Sequence, residues 1–408
     1  MEEKMKFLHA ADLHLDTPFL GLSDLPNALQ QRLIQAPLTA LHRLVDLALD
    51  EQVDFVLLVG DLFDSQAQSV QAQAALMNEL ERLHRVQIPV LLSFGNHDFQ
   101  ADLTTWHFPS NVHVFGPQVT TVTLTTNAQE KVAISGFSYS QRWIQTDLTS
   151  QYPLKTSAVD YQIGTLHGQV GQAGDHYAPF SVGELLAKHD DYWALGHIHQ
   201  RQVLNAQPPV VYAGNIQGRH RGETGAKGCL IVTSQPDHTL QSTFKPLTDI
   251  IWTDITADLT GTYTRSNLLN ALSDQLNQQC HDGLQLVSLM LPTAAQLDAN
   301  AQLALNQGAL LAQLRERATE HWWPVQIEQA VNSAEATSFG VNQATWESAG
   351  QQVVTADAIA DLAANLLNED FLNTALLETM TPAQWQAQVM RLLTDQYHVT
   401  TGGTNDVD

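Results

Sequence analysis

Cysteine is nearly absent from this sequence: Cys229 and Cys280 are the only two in 408 residues. Two cysteines cannot supply a disulfide framework or a Cys-rich structural zinc site. No apolar run approaches the ~20 residues that a membrane-spanning helix needs. The opening stretch MEEKMKFLHAADLHL leads with acidic residues. Its apolar part is broken by His9, Asp12 and His14, so it does not read as a secretory leader. These features together point to a reducing, cytoplasmic setting. Basic residues are scarce too, with 19 Lys and Arg against 43 Asp and Glu for a formal charge of −24. Residues 1–250 hold 15 basic against 25 acidic side chains, and residues 251–408 hold 4 against 18. Bulk charge of this sign repels polyanions, so any attraction to phosphate must come from bound cations or from a basic partner.

What the chain does have is apolar material, 44% of its residues, in a length that suggests two or three domains. Short β-branched runs recur: KFLHAA (6–11), DFVLLVG (54–60), IPVLLSFG (88–95), VAISGF (132–137), IGTLHG (163–168), DYWALGH (191–197), PVVYAG (209–214) and CLIVTS (229–234). Each is bounded by Gly, Asp or Pro and reads as a buried strand. The segment 39–52 places Leu41, Leu44, Val45, Ala48 and Leu49 on one helical face, and a second helix is predicted over 69–85. Strand, helix, strand, helix, strand implies a layered α/β beginning; the later strands lack long helices and should be antiparallel or mixed.

After residue 250 Gln and Ala rise. Strands at 252–259, 284–291 and 322–331 surround helices predicted at 266–280 and 296–319, making a small α+β module. The polar stretch 332–352 reads as a linker. Two helices follow, about 356–378 and 382–397; the second opens TPAQ, a capping box, and carries the stripe Trp385, Val389, Leu392 and Leu393. The division expected is therefore 1–250, 251–331, 332–352 and 353–408.

Polar residues cluster where the strands end. The first ends in Asp12-Leu13-His14, the second in Gly60-Asp61-Leu62-Phe63-Asp64 and the third in Gly95-Asn96-His97-Asp98. IGTLHG presents His167, and WALGHIH presents His197 and His199. Any one of these is weak: Gly-Asn is a turn dipeptide, Asp a helix cap, and a single His at a strand end is usually a hydrogen-bonded core residue. Five in order, all at the strand edge where open α/β sheets bind ligands, point to one site. Carboxylates, an amide and imidazoles without thiolate suit Mn(II), Fe(II) or Zn(II). Two such ions need a shared anionic bridge, for which Asp61 is chosen.

The series DLH, GDLFD, GNHD, LHG and GHIH resembles the calcineurin-like metallophosphoesterase superfamily over about residues 6–235. HAADLHLDTPF and YAGNIQGRHRGETGAKG (212–228) resemble more narrowly its bacterial DNA-repair exonuclease branch, of the SbcD and YhaO type. The resemblance implies a layered β-sandwich flanked by helices, a capping domain at 251–331 and a C-terminal segment that docks on a partner. It implies two divalent ions, with Mn(II) favoured and Fe, Zn or Mg also open. Asp12, His14, Asp61 and His199 would hold one ion, and Asp61, Asn96, His167 and His197 the other. His97 would contact phosphate and assist the leaving oxygen, with Asp98 orienting it. Where some relatives carry a His, this chain has Asp64.

DNA is the substrate implied and an SbcC-like coiled-coil SMC-type ATPase the partner. A homodimer is also expected, for which the unexplained insertion 22–37 is the one local feature on offer. Arg219, His220, Arg221 and Lys227 would grip phosphates beside the metals, unless they are a solvated loop paired to Glu223. The alternatives are an enzyme for a small phosphate ester and an architectural subunit with weak activity.

Overall fold

The computed structural model describes residues 4–19, 25–65, 67–102, 106–281 and 283–330, with 348–350, 352, 353, 355 and 389. By its contacts the chain forms two compact units, Met1–Leu291 with Ala295–Glu328, and Pro292–Ala294 with Gln329–Asp408. The linker expected at 332–352 and the two C-terminal helices lie almost wholly outside the described residues.

Two six-stranded sheets dominate the first unit. Numbered in chain order, one runs β12 (Leu240–Pro246), β11 (Gly228–Ser234), β1 (Lys6–Ala10), β2 (Phe55–Val59), β3 (Val90–Ser93), β4 (Val112–Val114). Strands β1 to β4 are mutually parallel, and β11 is antiparallel to both β1 and β12. The other sheet runs β5 (Thr120–Thr125), β6 (Lys131–Gly136), β7 (Tyr161–His167), β8 (Tyr192–Gly196), β10 (Pro209–Tyr212), β9 (Gln202–Ala206). It is parallel in its middle and antiparallel at both edges. The mixed character expected of the later strands is present.

Alternation along the strands explains the layering. Phe7, Phe55, Leu57 and Val59 pack across the sandwich on Ile134, Ile163, Tyr192 and Ala194. Their neighbours Leu8, Val56 and Leu58 turn outward under two helices, α1 (Asn27–Asp50) and α2 (Val70–Arg85), meeting Leu41, Leu44, Val45 and Leu76. Helix α2 starts where Ser69 caps the Ala72 N–H. A short helix α3 (Val182–Leu186), closed by a Ser181/Glu184 capping box, leads into β8.

Helix α1 is longer than 39–52, because it absorbs most of the insertion 22–37. Pro37 sits inside it. Proline removes one backbone donor, but here it is buried on the packed face, where tertiary contact outweighs local propensity. That first half of α1 is not a free surface. Leu33 and Ala36 pack with Ile250, Trp252, Leu284 and Leu286 of a smaller, third sheet.

That sheet, β13 (Ile250–Thr256), β15 (Leu284–Leu291) and β17 (Trp322–Gln329), belongs to the α+β module. Two short strands, β14 (Gly261–Tyr263) and β16 (Ala295–Leu297), pair with each other. Helix α4 (Arg265–Gln279) connects the parallel strands β13 and β15 and buries Leu268, Leu272 and Leu276 against Val287, Leu289 and Trp322. The single helix expected at 296–319 is two, α5 (Ala299–Asn306) and α6 (Ala309–Arg315). Gly308 between them has φ of +73°, a left-handed conformation that interrupts the helix and that glycine adopts without strain. Arg43 ties the module down by donating to the carbonyls of Leu247 and Thr248 and pairing with Asp249.

Candidate metal centre

Every strand end predicted to carry a ligand opens on one rim. β1 leads to Asp12 and His14, β2 to Asp61, β3 to Asn96, β7 ends in His167, and β8 leads to His197. The chain turns sharply there. Asp12, His14, Asp61 and His197 have φ of +52°, +43°, +49° and +100°, a region that non-glycine residues seldom occupy. The turns are braced by backbone bonds from the N–H of Asp12 to Gly60 and of His14 to Asp61, each 3.1 Å. Such backbone is held by its surroundings, and it concentrates at functional sites.

Two glycines make the crowding possible. A Cβ on Gly60 would stand 2.2 Å from His167 Nδ1, and one on Gly95 would stand 2.2 Å from an Asp61 carboxylate oxygen. Close approach requires both glycines, and Gly60, at φ of +78°, is required by the turn as well.

The side chains converge in two groups, Asp12 with His14 and His199, and Asp61 with His167 and His197. Asp61 borders both: its Oδ2 is 3.3 Å from His167 Nε2 and 3.8 Å from His14 Nε2. Asn96 Oδ1 lies 3.1 Å from His167 Nε2 and 3.0 Å from His197 Nδ1, joining the second group. All seven expected ligands are brought together. A third group, His14 with Asp64 and His97, adjoins them.

Three of the histidines share one arrangement, with Nε2 turned inward and Nδ1 held from behind. His14 Nε2 and His199 Nε2 are 3.0 Å apart. Behind them, His14 Nδ1 faces Asp64 Oδ1 at 3.1 Å, His199 Nδ1 meets Glu223 Oε1 at 2.7 Å, and His167 Nδ1 meets the Val59 carbonyl at 3.0 Å. An outer carboxylate or carbonyl that fixes the ring and raises its basicity is the usual backing of a metal-bound imidazole.

The electrostatics also suit cations. Burial pushes His14 and His197 down to about 3, leaving them neutral with lone pairs available. Burial opposes the charge on Asp61, yet His167 beside it holds the carboxyl well below the usual range. The same pairing, against burial, lifts His167 to about 9. The pocket therefore favours positive charge at its centre. Buried carboxylates, an amide oxygen and imidazoles turned inward by Nε2, with no thiolate among them, fit a pair of divalent ions.

Several roles differ from expectation. Asp98 is fully buried and makes no hydrogen bond with the His97 ring. Its carboxylate accepts from the N–H groups of Leu62, Phe63 and Gly95 at 2.7, 3.2 and 2.7 Å, clamping the GDLF loop to the GNHD turn. Burial and the nearby Asp61 push that carboxyl up to about 7. The His97 ring is held instead by the Asp64 carbonyl, which accepts from Nδ1 at 2.8 Å and leaves Nε2 for the site.

The basic cluster divides likewise. Lys227 is only 9% exposed and donates to the His199 carbonyl at 3.1 Å, so it cannot reach a strand of DNA at the surface. Arg219 bonds Thr17 and pairs with Asp64, at the edge of the candidate site. His220 and Arg221 are exposed, and Arg221 bonds Gln326 of the α+β module.

Glu223 meets the exposed His220 at 3.4 Å, but its main partners lie inward. It is 9% exposed and turned inward. Burial works against its charge, but His199, the Arg219 N–H and the Asn215 amide hold it at about 2. Its signal in the sequence was a lone acid in a basic loop. Glu223→Gln is expected to weaken divalent-ion affinity roughly 10- to 100-fold, as losses of such outer partners do. Titration calorimetry would show it, and unchanged affinity would remove Glu223 from the site.

The calcineurin-like phosphoesterase profile matches residues 5–201. The uncharacterized metallophosphoesterase YhaO of Bacillus subtilis is 38% identical over 279 residues, 67% of this chain and 68% of that protein. The DNA double-strand break repair protein Mre11 of Thermoplasma acidophilum is 29% identical over 196 residues, 45% of this chain and 51% of that protein. The SbcD component of the SbcCD nuclease of Bacillus subtilis is 26% identical over 287 residues, 60% of this chain and 71% of that protein. A rim of carboxylates and imidazoles built for paired cations is what this family uses to hydrolyse phosphate esters, and the chain belongs to the calcineurin-like metallophosphoesterases.

Proposed function

We propose that this chain is a two-metal phosphodiesterase that cuts DNA, working with an SbcC-like coiled-coil ATPase. The observation that carries the reading is the reach of the likeness to the SbcCD nuclease. It covers 287 residues, while the phosphoesterase profile spans only 5–201. A phosphatase for small esters has no need of the additional module, which we assign to selecting DNA ends at about 251–331. The C-terminal residues 353–408 are assigned to docking on the ATPase, the setting to the cytoplasm and the native metal to Mn(II).

Asp12, His14, Asp61 and His199 would hold one cation, and Asp61, Asn96, His167 and His197 the other. When bound, such ions neutralise phosphate oxygens and supply hydroxide near neutral pH. The chain's own groups do the rest. Asp12 is kept in place by the His197 N–H at 3.0 Å, and Asp61 by the His97 N–H at 2.9 Å. His97 Nδ1–H donates to the Asp64 carbonyl, so a proton carried on Nε2 faces the departing sugar oxygen. Arg219, with Asp64 and Thr17, places a fixed guanidinium beside His14, where it complements a phosphate.

The purified chain with Mn(II) is expected to degrade linear duplex or single-stranded DNA as well as bis-p-nitrophenyl phosphate. Hydrolysis of the small ester with both DNAs left intact would overturn the DNA reading and leave the hydrolase.

A further inference from the structure

A row of rings leads away from the candidate metal centre to the surface. The Tyr177 ring lies 4.5 Å from His197, tilted by 35°. His176 stands edge-on to Tyr177 at 6.3 Å, and Trp143 stacks on His176 at 5.2 Å with 29° between planes. Exposure rises along the row: His197 and Tyr177 are half-buried, His176 is exposed, and the Trp143 indole is 49% exposed. The guanidinium of Arg142 lies 5.8 Å from the centre of that indole.

The two loops that carry these rings are tied together. The Ile144 N–H donates to the His176 carbonyl at 2.9 Å, the Ala178 N–H to Ile144 at 2.7 Å and the Gly174 N–H to Gln145 at 3.0 Å. The Gln145 amide meets His176 Nδ1 at 3.0 Å. Val170, on the second loop, is 52% exposed. Trp143 is therefore held out by a bonded scaffold, although folding alone would favour burying so large an apolar ring.

We propose that Trp143 and His176 form a stacking platform for an unpaired nucleobase of the strand whose phosphate lies at the metal centre. The proposal rests on the nuclease activity proposed for the same site. Flat aromatic faces accept any base without reading its edge, and an adjacent guanidinium serves the phosphate that accompanies it. Each step in the row, 4.5 to 6.3 Å, is between one and two base-stacking rises of ~3.4 Å. In an acidic chain, stacking supplies affinity that bulk charge does not.

The test uses the full chain with Mn(II), with Trp143→Ala and Trp143→Phe. The substrates are a single-stranded oligonucleotide, the same strand carrying abasic sites beside the cut, and bis-p-nitrophenyl phosphate to report on the metal site. Trp143→Ala is expected to raise KM for the base-bearing strand on the order of 10-fold, with ester turnover unchanged. Trp143→Phe should restore most of the loss. The abasic strand should bind weakly to the unaltered chain and be indifferent to either substitution. Equal effects on both strands, or none, would overturn the platform while leaving the nuclease intact. An unaltered chain that hydrolyses the ester but neither binds nor cuts any strand would overturn both.

Discussion

Asp61→Ala is expected to reduce the divalent ions bound per chain from two to one or none and to cut ester turnover on the order of 10³-fold or more. Among the described residues, no other carboxylate faces an inward Nε2 of both groups, at 3.3 Å from His167 and 3.8 Å from His14. Its second oxygen also accepts the His97 N–H at 2.9 Å, so alanine removes a turn anchor along with a ligand. Asp61→Asn separates the two effects. The amide oxygen can still anchor His97, but the negative charge that attracts a cation is gone. If the bridge matters through its charge, Asn should be nearly as damaging as Ala while circular dichroism stays unchanged. Two ions bound by either variant, measured by metal analysis, would refute the bridging assignment.

His97→Ala should behave differently, lowering kcat roughly 10²- to 10⁴-fold while ion stoichiometry stays at two. The residue has no place in either cluster that contains Asp12 or Asp61, and its Nδ1 is committed to the Asp64 carbonyl. The size of the loss should follow the leaving group. A sugar alkoxide needs a proton as it departs, whereas p-nitrophenolate does not, so cleavage of DNA should suffer far more than cleavage of bis-p-nitrophenyl phosphate. Equal losses on both substrates would mean that Nε2 binds phosphate and does not deliver a proton. Loss of an ion from this variant would instead make His97 a ligand.

The local signals in the sequence reach the buried strands and the polar rim at their ends, but not the full helices or the exposed strands. Buried parallel strands read as short β-branched runs because both of their faces are covered, as β2 and β8 are. The DLH, GDLFD and GHIH stretches are legible because a strand end that turns at once needs glycine or a polar residue tolerant of positive φ. Residues whose partners lie far along the chain escape such local signals. The insertion 22–37, with no local account in the sequence, is mostly helix sustained by packing on Ile250, Trp252, Leu284 and Leu286. Asp98 was assigned to its neighbour His97, but its bonds go to Leu62, Phe63 and Gly95.

The loop GRHRGETGAKG shows the same division. Its composition announced a basic surface, yet Lys227 turns inward to the His199 carbonyl and Glu223 to the His199 ring. Local pattern thus marks the buried strands that carry ligands, the polar edge of their sheet, and a donor set suited to hard or borderline divalent ions. All of these follow from composition and spacing within a few residues. Long-range packing alone selects which acid stands behind which histidine, sets Leu33 and Ala36 on the sheet of the α+β module, and holds Trp143 out to solvent. Those are choices between side chains tens to hundreds of residues apart, and burial and hydrogen-bond satisfaction, which act only once the sheets are stacked, make them.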